Sequence, residues 1–248
     1  MSQPLLPPWR DDWALFLDVD GTLLTIAATP TAVSVPERAV GLLARLRDKL
    51  AGALALVSGR PIADLDRLFA PLRLPVAGAH GTERRDATGR LQRRDCSAAL
   101  APARRVLADW AASHPGVLLE DKGAALALHY RRAPELESAA RDVMAAALIA
   151  AGPTFHVQDG KKVVEITVDA VNKGSAIAEF MTEPPFLGRL PVFLGDDLTD
   201  EDGFEVVNRL GGHSVAVGVN RATRARWHLR DDTQVLGWLE SNAGGAIP

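Results

Sequence analysis

Short apolar runs alternate with amphipathic stretches along the first third of the chain. The apolar run at 14–18 precedes a stretch at 36–51 in which leucines recur at helical spacing. The run ALALVS, the stretch GRPIADLDRLF with a proline near its start, and the run LPVAGAHG follow. This order of strand, helix, strand, helix and strand predicts a parallel sheet with right-handed crossovers.

The middle of the chain has a different pattern. A predicted helix at 98–113 precedes VLLEDKGAALALHYR, two apolar segments that predict a hairpin with its turn near 122–123. A second predicted helix at 135–151 precedes FHVQDGKKVVEIT, for which we predict a hairpin that turns at QDGK. Two helix and hairpin pairs of this kind predict an α+β unit with an antiparallel sheet.

The α/β pattern resumes in the last third, which predicts a Rossmann-like α/β core with a parallel sheet, interrupted by an inserted α+β domain. The expected boundaries are 1–92 and 168–248 for the core and 93–167 for the insertion. The segments that predict helices and strands in the last third are, in order, NKGSAIAEFM, PVFLGD, DEDGFEVVNRL, SVAVGV and TQVLGWLES.

Composition narrows the class of protein. The formal net charge of −3 and the scattered arginines give no indication of a nucleic-acid or acidic-lipid partner. The run VMAAALIAAG is too short to span a bilayer, and the N-terminal residues lack the apolar core of a signal peptide. The single cysteine, Cys96, excludes an intramolecular disulfide and fits a reducing compartment. We therefore expect a soluble cytoplasmic monomer that binds neither nucleic acid nor membranes.

Carboxylates stand at the carboxyl ends of the predicted strands. Asp18 and Asp20 end the first strand, and Asp196 follows the strand VFLG. In an open parallel sheet, ligands bind beyond this edge. Converging carboxylates repel one another, and a hard divalent cation such as Mg2+ removes that repulsion. We therefore predict a magnesium site formed by the side chains of Asp18 and Asp196 and the backbone carbonyl of Asp20.

Ser58 and Lys173 extend this edge into a predicted phosphate pocket. Ser58 ends the second strand in LVSGR, and Lys173 opens the helix of NKGSA. A hydroxyl and an ammonium group donate hydrogen bonds to phosphate oxygens. One carboxylate beside a bound phosphate can attack it, and a second can transfer protons. Each residue also has a structural interpretation, with Ser58 as a helix cap and Lys173 as an exposed first-turn lysine.

Four motifs in this order resemble those of the haloacid-dehalogenase-like (HAD) phosphohydrolases. DxDGT stands at 18–22, the motif serine is Ser58, the motif lysine is Lys173, and GDDLTDEDGF is similar to the acidic fourth motif. The resemblance implies a HAD core, and it identifies the inserted α+β domain as a C2-type cap, which closes over small substrates.

The HAD resemblance also assigns roles to the acidic residues. It implies that Asp18 is the nucleophile and that Asp20 is the general acid and base. It implies that Mg2+ is bound by Asp18, Asp20 and Asp196, with Asp197 or Asp200 in support; our predicted metal residues are Asp18, Asp20, Asp196 and Asp197.

Further segments resemble the trehalose-6-phosphate phosphatases within that superfamily. GDDLTDEDGF is similar to their GDDxTDExxF signature and GAHGTE to their GxHGxE. In the predicted cap, LEDKGAALALHYR resembles ExKxxxxxxHYR, and KKVVEI resembles KxxEI. The resemblance implies that the substrate-binding residues are Glu120, Lys122, Arg131, Glu165 and His80, with Arg131 reaching either the sugar or the phosphate.

These motifs lead us to expect a magnesium-dependent phosphatase that hydrolyses trehalose 6-phosphate through an aspartyl phosphate. A phosphatase for another sugar phosphate, such as sucrose 6-phosphate or mannosyl-3-phosphoglycerate, and a catalytically silent sugar-phosphate-binding protein remain alternatives. Glu120 and Lys122 also fit ordinary charges of a hairpin turn, Glu165 also fits a solvent-facing residue, and His80 also fits a structural histidine at a strand end.

Overall fold

A computed structural model of the protein describes residues 6–25, 35–94, 96–160, 162–168 and 171–244. The chain divides into two compact units, of which one contains Met1–Arg93 with Val171–Pro248 and the other contains Arg94–Ala170. The smaller unit is thus inserted into the sequence of the larger one. The strands are β1 (Trp13–Leu17), β2 (Leu54–Val57), β3 (Val76–Gly78), β4 (Glu83–Arg85), β5 (Leu91–Arg93), β6 (Leu118–Asp121), β7 (Leu126–His129), β8 (Phe155–Gly160), β9 (Val163–Val168), β10 (Leu190–Gly195), β11 (His213–Val217) and β12 (Trp227–Leu229). The helices are α1 (Glu37–Lys49), α2 (Ile62–Leu68), α3 (Ser97–Ala112), α4 (Glu137–Ala151), α5 (Lys173–Phe180), α6 (Glu201–Arg209) and α7 (Asp232–Asn242).

The larger unit is built on one sheet. Within the described residues this sheet has eight strands in the order β12-β11-β10-β1-β2-β3-β4-β5. The six strands from β12 to β3 run parallel, whereas β4 and β5 pair antiparallel at one edge. Every residue of β1 and β2 is buried, as expected for central parallel strands that are covered on both faces. The predicted α/β core with a parallel sheet is therefore confirmed.

Three strands of this sheet were absent from the sequence-based prediction. Strands β4, β5 and β12 are three residues long, and their sequences ERR, LQR and WHL are too short to establish a strand period. Their backbones take strand conformation because they pair with neighbours that are already in place, with β4 on β3 and β12 on β11. Such edge strands are determined by tertiary pairing more than by their own residues.

The strand order explains where the functional edge lies. Strand β1 pairs with β2 on one side and with β10 on the other, and all three run parallel. The residues that follow these strands therefore meet at one edge of the sheet. Aromatic side chains pack against β1. The centroid of the Phe16 ring lies 5.4 Å from that of Phe186 and 5.9 Å from that of Phe180.

The smaller unit contains a four-stranded antiparallel sheet in the order β6-β7-β9-β8. Helices α3 and α4 bury Leu100, Leu107 and Met144, and the sheet buries Val164 and Ile166. The predicted hairpin around residues 122–123 is confirmed by the pairing of β6 with β7. This unit is an α+β structure, as the helix and hairpin pattern predicted.

The second predicted hairpin is confirmed by the antiparallel pairing of β8 with β9, but the predicted position of its turn, at QDGK, is wrong. Gln158 and Asp159 pair with Glu165 and Val164, and the ladder continues to the Gly160–Val163 pair. Strand β8 therefore continues to Gly160, and Lys162, which directly precedes Val163 of β9, has a φ of +62°. The sequence QDG is rich in turn-forming residues, but the cross-strand partners that keep it extended are not visible in its local pattern.

The apolar run VMAAALIAAG lies in the second half of α4. Met144 and Ala147 are buried, whereas the side of the helix that carries Ile149 is exposed. One face of this run thus packs in the unit and the other meets solvent. Among the residues that the structure describes, no helix combines the length and the apolarity that crossing a bilayer requires.

Candidate active site

A buried lysine joins two buried carboxylates at the carboxyl edge of the larger sheet. Lys173 is the first residue of α5, and its Nζ donates to Asp18 Oδ1 over 2.8 Å and to Asp200 Oδ1 over 2.6 Å. The side chains of Asp18, Lys173 and Asp200 are 5%, 4% and 0% exposed. The exposed-lysine interpretation of Lys173 is therefore wrong. The two carboxylates also offset the unfavourable placement of a positive charge at a helix N-terminus.

Asp196 completes a cluster of three carboxylates. One oxygen each of Asp18, Asp196 and Asp200 lies within 4.8 Å of the others. Thr22 Oγ1 donates to Asp196 Oδ1 over 3.3 Å. Gly21 has a φ of +89°, and a Cβ on it would lie 2.1 Å from Asp196 Oδ2. The DxDGT loop therefore needs glycine at this position, both for its backbone conformation and for its close approach to the cluster.

Burial raises the pKa of each carboxyl in the cluster. Burial raises the pKa of Asp18 to about 6, although the charge of Lys173 opposes this change. Burial and the charge of Asp200 raise the pKa of Asp196 to about 6, and burial with the charge of Asp18 raises that of Asp200 to about 6. Burial lowers the pKa of Lys173, but the carboxylates of Asp18 and Asp200 outweigh it, so its pKa is raised. The cluster has an excess of negative charge that a divalent cation would compensate.

The structure brings Asp200, and not Asp197, into the carboxylate cluster. Asp200 Oδ2 accepts from the backbone amides of Asp196 and Asp197, each over 2.9 Å. Asp197 is exposed, and its Oδ1 accepts from the Leu198 amide over 2.5 Å, which caps the short turn that carries Asp200. The signal for Asp200 in the sequence was its spacing of four residues from Asp196, which one helical turn brings back to the strand end. The metal-binding role of Asp197 stays a prediction.

Asp20 and Ser58 lie at the same edge, and both contact Arg60, a residue that the sequence analysis did not assign to the site. Arg60 Nε donates to Asp20 Oδ2 over 2.6 Å, and Arg60 Nη2 donates to Asp20 Oδ1 over 2.7 Å. Ser58 is buried, and its Oγ accepts from the Arg60 backbone amide over 3.2 Å. Helix α2 begins later, after Pro61 and without a side-chain cap, so the helix-cap interpretation of Ser58 is wrong. The signal for Arg60 was its place two residues after the motif serine.

His80 lies beside the loop that follows β2. Its backbone amide donates to the Ser58 carbonyl over 3.1 Å. Its ring occupies the space next to Gly59, where an added Cβ would lie 2.7 Å from ring atoms. These contacts place His80 against the loop that follows β2 and contains Ser58. The assignment of His80 to substrate binding stays a prediction.

The predicted sugar-binding residues lie in the smaller unit, and the strand pairing places two of them in one row. Glu120 lies opposite Ala127, and Ala127 lies opposite Glu165. Because Val164 and Ile166 point into the apolar core, the alternation along β9 places Glu165 on the other face of the sheet. The prediction that Glu165 faces away from Val164 and Ile166 is confirmed.

An ion pair and a hydrogen bond connect the polar groups on this face. Lys122 Nζ donates to Glu165 Oε2 over 2.7 Å, and His129 Nε2 lies 2.8 Å from Glu120 Oε2. Arg131 is exposed two residues after β7. Glu120, Lys122 and Glu165 are thus brought together on the open side of the four-stranded sheet, and their binding roles stay predictions.

Comparison with known proteins identifies the family. The family model "Trehalose-phosphatase" matches residues 16–235. A trehalose-6-phosphate phosphatase of Escherichia coli K12 is 47% identical, over 97% of this chain and 91% of that protein. A probable trehalose-phosphate phosphatase of Sinorhizobium fredii is 50% identical, over 84% of this chain and 78% of that protein. The solved C-terminal domain of a Candida albicans trehalose-6-phosphate phosphatase is 25% identical and superposes with a TM-score of 0.76, over 94% of this chain and 92% of that one.

A solved phosphatase of the haloalkanoate (HAD) superfamily has the same fold, with a TM-score of 0.65 and 16% identity, which confirms the predicted fold class. The family match covers most of the chain, and the two relatives above share about half of their aligned residues with it. This chain belongs to the trehalose-phosphatase family of phosphoric monoester hydrolases.

Proposed function

We propose that this protein is a magnesium-dependent phosphatase that hydrolyses trehalose 6-phosphate to trehalose and inorganic phosphate in trehalose biosynthesis. The observation that carries the proposal is the cluster of Asp18, Asp196 and Asp200 around the buried ammonium group of Lys173. The cluster lies at the sheet edge where ligands bind in open α/β folds. Relatives named as trehalose-6-phosphate phosphatases support the choice of substrate.

The donor set at this edge fits Mg2+. Hard cations prefer carboxylate and carbonyl oxygens, and the residues at this edge offer both kinds. Asp18 and Asp196 would bind the ion through their side chains and Asp20 through its backbone carbonyl. Asp200 would hold the turn in place, because its two oxygens already accept from Lys173 and from two backbone amides, and Asp197 would support the site. When bound, the ion would neutralise the negative charge of the carboxylates and of the phosphate.

Asp18 acts as the nucleophile, and Asp20 acts as the general acid and base. A carboxylate oxygen of Asp18 attacks the phosphorus, the bond from phosphorus to the sugar oxygen breaks, and that oxygen takes a proton from the Asp20 carboxyl group. Water then attacks the phosphorus of the phosphoaspartate and gives one proton to the Asp20 carboxylate. The bond from phosphorus to Asp18 breaks, which releases phosphate and restores both side chains. Lys173 and Ser58 would donate hydrogen bonds to the phosphate oxygens.

The inserted unit, predicted at 93–167 and compact over Arg94–Ala170, is assigned as the C2-type cap. The charged groups on the open face of its sheet would bind sugar hydroxyls, since charged donors and acceptors make strong, oriented hydrogen bonds. We also keep the expectation of a cytoplasmic monomer with a small-molecule substrate. The residues assigned to substrate binding remain Glu120, Lys122, Arg131, Glu165 and His80.

Phosphate release from a panel of phosphate esters tests the proposed function. The panel contains trehalose 6-phosphate, sucrose 6-phosphate, glucose 6-phosphate and mannosyl-3-phosphoglycerate, each with Mg2+. We expect trehalose 6-phosphate to have the highest kcat/KM. A preference for another member would replace the substrate and keep the phosphatase, whereas no release from any ester would favour the silent sugar-phosphate-binding protein.

Metal dependence should follow the protonation of the carboxylate cluster. Since burial raises the pKa of Asp18 and Asp196 to about 6, Mg2+ must displace protons below that pH. We expect a chelator to abolish turnover and added Mg2+ to restore it. We also expect the Mg2+ affinity to fall by about tenfold or more per pH unit below pH 6. Calorimetric titration at pH 7.5, 6.5 and 5.5 would measure both the affinity and the protons released, and an affinity that is constant over this range would contradict the assigned ligands.

Substitutions on the open face of the smaller sheet should separate sugar recognition from phosphate chemistry. We expect Glu120→Gln and Glu165→Gln to lower kcat/KM for trehalose 6-phosphate by about 10- to 100-fold, because each removes a charged hydrogen-bond partner. Turnover of p-nitrophenyl phosphate, which has no sugar, should stay within about twofold. The matched control is Glu137→Gln, in the ion-pair network of α4 with Arg141 and Lys162. Equal losses on both substrates would contradict a sugar-binding role for the two glutamates.

A further inference from the structure

Arg60 forms a two-pronged contact with the proposed acid and base. Its Nε and Nη2 donate to the two oxygens of Asp20 over 2.6 and 2.7 Å. The Arg60 side chain is 10% exposed and that of Asp20 is 33% exposed. A planar guanidinium group that binds both oxygens fixes the plane and the direction of a carboxylate, which a single hydrogen bond does not.

The backbone of Arg60 is held at both its amide and its carbonyl. The amide donates to Ser58 Oγ over 3.2 Å, and the carbonyl accepts from the Ala79 amide over 2.8 Å. Strand β3 packs directly against this carbonyl, since a Cβ on Gly78 would lie 2.8 Å from its oxygen. A side chain that starts from a fixed backbone and is 10% exposed can hold its partner Asp20 in one position.

We propose that Arg60 is a positioning residue that orients the Asp20 carboxyl group for both proton transfers, to the departing sugar oxygen and from the attacking water. The proposal rests on the proposed function, because it requires Asp20 to be the acid and base. Arg60 acts through Asp20 and contributes neither nucleophile nor proton.

The leaving group of the substrate separates this role from phosphate binding. A sugar alkoxide needs a proton to leave, whereas p-nitrophenolate leaves without one, and kcat/KM reports only the steps up to the phosphoaspartate. Arg60→Gln is therefore expected to lower kcat/KM for trehalose 6-phosphate by about 10- to 100-fold and to leave that for p-nitrophenyl phosphate within about twofold. Hydrolysis of the phosphoaspartate also slows, so a pre-steady-state burst of p-nitrophenolate should appear.

Variants of Asp20 and of a surface arginine complete the experiment. Asp20→Asn should give the same dependence on the leaving group, and adding Arg60→Gln to it should cause no further loss, since both changes remove one function. Arg45→Gln, on the exposed side of α1 in the same unit, should behave as the wild type. Arg60→Lys keeps the charge but not the two-pronged geometry, and it serves as the test variant if Arg60→Gln does not fold.

Two results would overturn the proposal. Equal losses on the sugar and aryl esters would mean that Arg60 binds the phosphate or maintains the fold, and losses that add in the double variant would mean that it does not act through Asp20. If the wild-type protein hydrolyses sugar phosphates and the variants give either result, the role of Arg60 alone is refuted. A wild-type protein that hydrolyses none of them refutes the proposed function and this inference together.

Discussion

Replacing Asp18 by asparagine is expected to lower turnover of trehalose 6-phosphate by about 10⁴-fold or more and to leave the fold intact. Asparagine has nearly the same shape, but its amide is a poor nucleophile toward phosphorus and a weaker ligand for Mg2+. Rapid-quench experiments should also detect no phosphorylated protein. Turnover within about tenfold of the wild type would rule out Asp18 as the nucleophile.

The same substitution should not lower stability in a chelator at pH 7.5. Burial raises the pKa of Asp18 to about 6 from its ordinary value of 3.8, so the ionised form is less favourable in the folded than in the unfolded chain. A carboxyl group of this kind contributes stability below pH 3.8 and loses that contribution as the pH rises through about 6. The neutral amide avoids the loss at pH 7.5, and Lys173 keeps Asp200 as its partner. We therefore expect an unfolding temperature equal to that of the wild type or higher.

A second carboxylate supplies a control with the opposite sign. Asp66 binds Arg85 through two hydrogen bonds of 2.7 Å, and this partner lowers the pKa of Asp66. Asp66→Asn should therefore reduce stability at pH 7.5 and leave kcat unchanged. Opposite changes in stability in Asp18→Asn and Asp66→Asn would show that the carboxylate of Asp18 is retained at a cost to stability. A fall in the unfolding temperature of Asp18→Asn as large as that of Asp66→Asn would contradict this interpretation.

The sequence predicted the parts of the fold whose residues carry their own signal. Strands β1, β2 and β10 are uninterrupted apolar runs that end in polar motif residues, so both their type and their edge could be inferred. The polar strands β4 and β5 could not, because their conformation depends on pairing with β3. The turn predicted at QDGK was misplaced for a related reason, since Gln158, Asp159 and Gly160 favour a turn locally while their partners across the sheet keep them extended.

The residues of the candidate site also fall into those that the sequence predicted and those that it did not. Asp18, Ser58, Lys173 and Asp196 stand at fixed places in motifs, and the parallel strands bring their segments to one edge. The sequence analysis named Asp200 only as the alternative to Asp197 and did not name Arg60, because the pairings of Asp200 with Lys173 and of Arg60 with Asp20 form across the fold. Spacing within a motif indicates which residues share an edge, but it does not indicate which charged side chains pair there.

Lys173→Met is expected to lower the free energy of unfolding by about 3–5 kcal/mol at pH 7.5 in a chelator. Lys173 is the shared partner of Asp18 and Asp200, and methionine would fill its space while leaving two carboxylates buried without their cation. Their pKa values are already about 6 beside Lys173, and the loss of its charge would raise them further. The variant should therefore lose activity as well, because its nucleophile would be protonated at neutral pH.

The pH dependence of this loss identifies its cause. A raised carboxyl pKa favours the folded state at low pH, so the variant should recover stability as the pH falls below the pKa of Asp18 and Asp200. Urea unfolding at pH 7.5 and 5 should show a smaller difference from the wild type at pH 5. Adding Asp18→Asn and Asp200→Asn to Lys173→Met should restore much of the stability at pH 7.5, because no buried charge is then left unpaired. Lys49→Met is the control: its partly exposed ammonium group is 3.5 Å from Asp11 and donates to the Asn242 carbonyl over 2.7 Å, so the variant should lose less stability than Lys173→Met and by a similar amount at both pH values. A difference for Lys173→Met that is the same at both pH values would assign the loss to packing and not to charge.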